Sequence, residues 1–65
     1  MKNNLKELRQ KENISQDDLA SILKVSRQTI NSIETGKFDP SLTLTIKITR
    51  FFKKNLEDIF KMEDK

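Results

Sequence analysis

Four polar side chains near the middle of the chain could contact the edges of nucleic-acid bases: Arg27, Gln28, Thr29 and Asn31. The guanidinium group of arginine and the amide groups of glutamine and asparagine match the donors and acceptors that bases present in the major groove of DNA. Ser26 stands immediately before them, where serine favours the start of a helix. A solvated helix face carries similar residues in any protein, so the surrounding elements decide between the two interpretations.

Two short helices joined by a tight connection are predicted within residues 16–35. The first begins after Ser15 and runs to about Leu23, with its leucines and alanine on one face. The second begins after Ser26 and spans about residues 27–34. Gly36, the only glycine of the chain, supplies the left-handed residue beyond its end. This pattern predicts a helix-turn-helix whose second helix exposes the polar residues described above.

A helix at residues 3–12 precedes this unit, and the segment that follows it is ambiguous. In Leu42–Thr49 apolar and polar residues alternate and β-branched side chains abound, which locally favours a strand. We nevertheless predict a helix there, because three helices need a fourth to close a core and the family resemblance described below favours it. Either Asp39 or Ser41 caps this helix, and Pro40 prevents the preceding one from continuing.

The fourth helix is apolar on more than one side. It places Leu42 and Ile46 in one stripe, with Leu44 and Phe51 on the opposite side. A helix that is apolar all round is usually fully buried, but a chain of 65 residues has little interior in which to bury it. We therefore predict that Leu44, Ile48 and Phe51 contact a second copy in a homodimer, with a fully buried central helix as the alternative.

The carboxyl-terminal end combines a short apolar helix with a change of charge. Leu56, Ile59 and Phe60 are expected to pack inward from this last helix. Residues 1–54 carry 11 basic and 6 acidic side chains, whereas residues 55–65 carry 2 basic and 4 acidic ones. The basic excess on the body of the domain favours a polyanionic partner, and the acidic tail lies apart from it.

Length and composition exclude several classes of protein. The 65 residues form one domain, and the absence of Cys and His excludes disulfides, thiolate chemistry and the usual zinc sites. Paired carboxylates need a cleft for acid–base chemistry, so we expect no enzyme, no metal, no cofactor and no small-molecule ligand. Because no segment resembles a signal peptide or is apolar enough to span a bilayer, we expect a cytoplasmic location without membrane contact.

Several short motifs together resemble one known family. They are Ile14-Ser15-Gln16 with Leu19-Ala20, Val25-Ser26 with Ile30 and Ile33-Glu34, Gly36-Lys37 with Pro40-Ser41-Leu42, and Leu56-Glu57-Asp58-Ile59-Phe60. With these motifs the chain resembles the Xre family of bacterial and phage helix-turn-helix regulators, the Cro and repressor type. It is most similar to very short stand-alone members such as the repressor of a cytolysin operon. The resemblance covers residues 4–60 and is densest over 14–37.

The resemblance implies a fold. Members of this family are all-α, with five helices in a compact lambda-repressor-like arrangement and the third helix as the reading helix. In the short members the extended termini pair as a two-stranded sheet, and residues 1–3 and 60–63 could do the same here. The chain departs from the family over Thr43 to Thr49, where Ala and Leu are frequent in other members.

The resemblance also implies roles for individual residues. Gln16 contacts a phosphate and buttresses the reading helix, and Arg9 and Glu34 form a pair that ties the first helix to the end of the third. The residues that face bases are Arg27, Gln28, Thr29, and Asn31 or Ser32. The residues that face the DNA backbone are Ser26, Thr35 and Lys37. Arg27 could instead reach a phosphate, and Lys37 could be an ordinary solvated lysine.

Together these features predict a homodimeric, sequence-specific regulator that binds double-stranded DNA, most simply a transcriptional repressor. Two reading helices about 34 Å apart, related by a two-fold axis, would read a palindromic site on one face of the duplex. The rival hypothesis is a protein-interaction module, such as an antitoxin, that keeps the fold but binds a second protein. The acidic tail and the apolar face around Leu44 and Phe51 would serve that contact.

Overall fold

The computed structural model describes residues 1–62, which form five helices and one two-stranded sheet. In chain order the elements are β1 (Lys2–Asn3), α1 (Leu5–Lys11), α2 (Gln16–Leu23), α3 (Arg27–Glu34), α4 (Leu42–Phe52), α5 (Leu56–Ile59) and β2 (Phe60–Lys61). The predicted all-α fold with a small sheet from the chain ends is confirmed. Residues 63–65, which include part of the predicted strand and acidic tail, lie outside the described residues. None of the described helices is long and apolar enough to cross a membrane.

Serine residues cap the amino-terminal ends of three helices. The Oγ atoms of Ser15, Ser26 and Ser41 each accept a hydrogen bond from the backbone N–H three residues later, at 3.0–3.1 Å. Each of these bonds satisfies one of the backbone donors that the start of a helix leaves without an intrahelical partner. Ser41, and not Asp39, is therefore the cap of α4.

The segment with the local pattern of a strand forms α4, but its buried face is not the one predicted. Leu44 and Ile48 are 6% and 0% exposed and belong to the core, whereas Leu42 and Ile46 are exposed. The prediction that Leu44 and Ile48 contact a second copy is therefore wrong, and Phe51 is half-buried against the core. Both pairs of residues are four apart and each could form a buried stripe, so the alternating pattern does not specify which one is buried.

The two ends of the described chain meet beside the end of α3. β1 and β2 pair antiparallel, with Lys2 opposite Lys61 and Asn3 opposite Phe60. The side-chain amide of Asn3 donates a hydrogen bond to the backbone carbonyl oxygen of Ile33 at 2.8 Å. Because this bond joins β1 to the last turn of α3, the sheet helps to hold α3 in place.

A single hydrophobic core joins all five helices. Leu56 is 50% exposed, so the prediction that it packs inward is wrong, whereas Ile59 and Phe60 are buried as predicted. The helix α5 is only four residues long and leads directly into β2, so only its end reaches the interior. The buried hydrophobic residues are Leu5, Leu8, Leu19, Ala20, Leu23, Ile30, Ile33, Leu44, Ile48, Ile59 and Phe60.

Candidate nucleic-acid interface

The turn between α2 and α3 sets their relative orientation. Lys24 ends α2 in a left-handed conformation, with a φ angle of 61°. The backbone N–H of Val25 donates to the carbonyl oxygen of Ala20 at 2.9 Å, and the Val25 side chain packs against the core. Ala20 is itself buried, and its small side chain lets the two helices approach closely. The ammonium group of Lys47 in α4 donates a hydrogen bond to the Leu23 carbonyl oxygen at the end of α2, at 3.3 Å.

The outer side of α3 is polar and accessible. Its opposite side carries Ile30 and Ile33, which are fully buried. All the residues predicted to face bases lie outside the core. Exposed among them are Arg27, Gln28 and Asn31, and half-buried are Thr29 and Ser32. The structure thus brings the predicted base-facing set together on the accessible side of one helix.

Arg27 is weakly held in the free protein. Its Nε atom lies 3.9 Å from the Oδ1 atom of Asp17, and both side chains are well exposed. Exposed ion pairs of this kind contribute only about 0–1 kcal/mol, because water and salt screen them. The guanidinium group can therefore leave Asp17 at little cost and remains available to a base edge or to a phosphate.

Gln16 links the first turn of α2 to α3. Its side-chain Nε2 donates to Asn31 Oδ1 at 3.2 Å and to Glu34 Oε1 at 3.0 Å. An amide NH2 group has two protons, so both are used inside the protein and only the carbonyl oxygen is left. The predicted buttressing of α3 by Gln16 is present in this geometry. In this side-chain arrangement, a phosphate near Gln16 would be bound by a backbone N–H at the start of α2.

A nearly buried ion pair lies behind Gln16. The Arg9 guanidinium donates to the Glu34 carboxylate at 2.6 and 3.1 Å and to the Ile14 carbonyl oxygen at 2.9 Å. The Arg9 and Glu34 side chains are only 9% and 3% exposed. The hydrogen bond to Glu34 raises the pKa of Arg9, desolvation opposes this, and the carboxylate charge adds to the rise. Arg9 therefore stays charged at every ordinary pH, and the predicted pair ties α1 to the end of α3.

Beyond α3 the chain turns sharply at Gly36, which has a φ angle of 80°. Two residues in this region were predicted to face the DNA backbone. Thr35 donates its hydroxyl proton to backbone carbonyl oxygens within α3, that of Asn31 at 3.0 Å among them. Lys37 is exposed, so its ammonium group is the better placed of the two to meet a phosphate.

Ser26, the third residue predicted to face the DNA backbone, serves mainly as a cap. Its Oγ atom accepts the Thr29 backbone N–H at 3.1 Å and lies 2.8 Å from the Thr29 hydroxyl oxygen. The two hydroxyl groups share one hydrogen bond, so one of their two protons remains available to a phosphate or a base.

The sequence analysis did not single out Phe38. This aromatic residue is 49% exposed in the loop after α3. It lines a shallow hollow together with Ser26, Gln28, Thr29 and Ser32. The signal that could have identified it is an aromatic residue two positions after Gly36, in a segment that is otherwise polar.

The candidate interface offers hydrogen-bond donors and acceptors. Within residues 1–62, no group of three or more Asp or Glu side chains could hold a metal ion. What the arrangement can do chemically is to place amides, a guanidinium group, hydroxyls and a lysine on one accessible surface.

Known proteins share both the sequence and the fold of this chain. The chain is 58% identical to an uncharacterized HTH-type transcriptional regulator of Methanocaldococcus jannaschii, over 98% of this chain and 97% of the relative. It is 44% identical to another from Bacillus subtilis, over 98% of this chain and 97% of the relative. The crystal structure of the restriction-modification controller protein C.AhdI from Aeromonas hydrophila is similar, with a TM-score of 0.75 and 27% identity. That match covers 86% of this chain and 85% of the controller.

The family assignment follows from these comparisons. The family described as helix-turn-helix matches residues 5–59, nearly the whole of the described chain. This confirms the resemblance to the Xre type of regulator, whose members are not enzymes. The predicted origin in a bacterium or phage stays a prediction. The chain therefore belongs to the helix-turn-helix transcriptional regulators, a family of DNA-binding proteins.

Proposed function

We propose that this chain is a sequence-specific repressor that binds a palindromic site in double-stranded DNA as a homodimer and inserts α3 into the major groove. The observation that carries the proposal is the accessible polar side of α3, which is held from behind by the Arg9–Glu34 pair and Gln16. A reading surface that is rigid before binding loses little conformational entropy when it docks.

Contacts with phosphates and with bases have separate roles in this proposal. Lys37 and backbone N–H groups at the start of α2 would neutralise or bind phosphates, which sets the register on the duplex without reading sequence. Arg27, Gln28 and Asn31 would then contact base edges, where a good bidentate contact contributes about 1–3 kcal/mol of discrimination.

The second copy would dock on an apolar groove between α4, α5 and the chain ends. Leu42 and Met62 are 77% and 78% exposed in this groove, and Leu56 lies beside them. Met1, Pro40 and Phe60 add to the apolar lining, and Asp39 and Glu57 also line the groove. Because this face includes the exposed side of α4, it replaces the face of Leu44 and Ile48 that was predicted from the sequence.

The groove is also the observation that favours the rival function, a protein-interaction module. The same leucines would contact a different protein instead of a second copy. The two possibilities separate in purified protein, because only the homodimer forms without a partner. Sedimentation analysis of the chain alone should show a dimer, and a strict monomer would favour the rival.

The proposed function is tested by selecting bound duplexes from a random pool and then measuring affinity at two salt concentrations. We expect a two-fold symmetric consensus with half-sites about one helical turn apart. The affinity for that consensus should fall with salt as counterions are released, yet exceed the affinity for random DNA at both concentrations. Steep salt dependence without any consensus would contradict sequence-specific binding.

A further inference from the structure

Phe38 is an apolar side chain in a polar part of the surface. A single exposed phenylalanine is ordinary on a protein surface. This one differs because it shares its hollow with Gln28, Thr29 and Ser32, all on the side of α3 that is proposed to face DNA. The hollow therefore lies within the proposed interface, and what it can accommodate bears on the sequence that is read.

The backbone at Phe38 is hydrogen-bonded to α3. The N–H groups of Lys37 and Phe38 both donate to the Ser32 carbonyl oxygen, at 3.0 and 3.2 Å. On the other side, the Asp39 carboxylate lies 3.5 Å from the amino-terminal ammonium group of Met1. The aromatic ring is thus attached to a backbone that is hydrogen-bonded to α3.

The hollow offers two apolar groups next to an amide. The hydroxyl of Thr29 lies 2.8 Å from Ser26 Oγ and is engaged there, which leaves the Thr29 methyl as its apolar branch. The Phe38 ring supplies the second apolar group, and Gln28 supplies the amide. In the major groove the apolar group that distinguishes one standard base from the others is the C5-methyl of thymine.

We propose that Phe38 and Thr29 recognise the C5-methyl group of a thymine that neighbours the base contacted by Gln28. This inference rests on the proposed function and adds a specificity determinant that makes no hydrogen bond. Burying one methyl-sized group contributes about a fourfold change in affinity. Each half-site should therefore contain one thymine whose methyl group matters and cannot be replaced by a hydrogen.

The experiment uses the duplex obtained from the selection, with each thymine replaced singly by deoxyuridine, which removes only the methyl group. Titrations compare the wild-type protein with Phe38→Ala. Ile22→Ala serves as the matched control, because Ile22 is similarly exposed but lines a different hollow. We expect one deoxyuridine position per half-site to weaken wild-type and Ile22→Ala binding by about fourfold. The same replacement should leave the affinity of Phe38→Ala unchanged.

The outcomes separate this inference from the proposed function. If the wild-type protein binds a consensus but tolerates deoxyuridine everywhere, or if Phe38→Ala keeps the same sensitivity, the methyl contact is overturned while sequence-specific binding stands. A half-site without thymine has the same consequence. If no consensus emerges at all, the proposed function fails and the inference fails with it. The wild-type measurements need no variant, so they test the methyl contact even if Phe38→Ala fails to fold.

Discussion

The helix pair α2–α3 and the α4–α5 end of the molecule differ in how their structures are encoded. In the first region, local residues mark the boundaries: Ser15 and Ser26 cap the helices, and Gly36 supplies the left-handed turn after them. In the second region, α4 has the local sequence pattern of a strand, yet it forms a helix whose Leu44 and Ile48 side chains are buried in the core. The helices of the first region are therefore specified by residues close to them in sequence. The second region depends on core contacts with residues distant in sequence.

The two regions also differ in what they leave exposed. Behind the polar surface of α3 stands a closed network in which Arg9, Glu34 and Gln16 satisfy one another. The α4–α5 end instead exposes Leu42 and Leu56 in an apolar groove. In the proposed function these differences correspond to two roles: α3 would read DNA, and the apolar groove would bind the second copy.

The largest effect is expected from breaking the hydrogen-bond network of Arg9, Glu34 and Gln16 behind α3. Arg9→Ala leaves the Glu34 carboxylate, which also accepts a hydrogen bond from Gln16, nearly buried and without its charged partner. Removing one member of a buried pair typically costs about 3–5 kcal/mol of unfolding free energy. Urea unfolding measures this loss. Asp17→Ala is the control, because it removes an exposed pair and should change the unfolding free energy very little. A loss from Arg9→Ala no greater than the control would show that the network does not stabilise the fold.

The next effect separates recognition from stability within the same region. Replacing Arg27 and Gln28 by alanine removes two exposed polar side chains, so the unfolding free energy should stay within about 0.5 kcal/mol of wild type. Specific DNA affinity should fall by about 1–3 kcal/mol for each lost base contact. Titration of the selected duplex, with circular dichroism to confirm folding, measures both quantities. Unchanged affinity would mean that α3 does not read bases.

A smaller effect concerns the α4–α5 end. Leu42→Asp places a charge in the proposed dimer groove without disturbing the core, since Leu42 is largely exposed. We expect the dimer to dissociate and the apparent affinity for a palindrome to fall at least about tenfold, because the second half-site no longer binds in concert. Ile22→Asp, in a separate hollow, is the matched control for an added charge. Sedimentation velocity should distinguish them, and a stable dimer of Leu42→Asp would locate the interface elsewhere.

The smallest effect tests the cap of the helix whose local pattern is ambiguous. Ser41→Ala removes the hydroxyl oxygen that accepts the Leu44 N–H and should cost about 1 kcal/mol of unfolding free energy. Ser21→Ala is the control, because Ser21 is exposed within α2 and caps nothing. Thermal unfolding of both variants measures the difference. Equal stability of the two variants would mean that core contacts alone determine α4.

The bounds of α2 and α3 could be predicted almost to the residue. The predicted helices over 16–23 and 27–34 agree with α2 and α3. Capping serines, a terminal glycine and apolar residues three and four apart act within one or two turns, so they are visible in the sequence. Family resemblance supplied the Arg9–Glu34 pair and the buttress at Gln16, and their geometry is present in the structure.

The sequence could not reveal which protein atoms each polar group uses. Gln16 donates both amide protons to α3, one to Asn31 and one to Glu34, because the packing of α2 against α3 brings these acceptors within reach. Phe38 lies beside the polar side of α3 for a similar reason, since its backbone N–H donates a hydrogen bond to Ser32 of that helix. These details depend on contacts between residues that are close in space and have no recognisable spacing along the chain.

By itself, the sequence determined the helix-turn-helix, the polar character of the outer side of α3 and the family, because these follow from local signals. The tertiary structure alone decided which stripe of α4 is buried. Leu42 with Ile46 and Leu44 with Ile48 are equivalent in spacing, and only packing against the other helices selects the second pair for the core. That selection leaves Leu42 exposed beside Leu56, and so determines which apolar surface stays exposed.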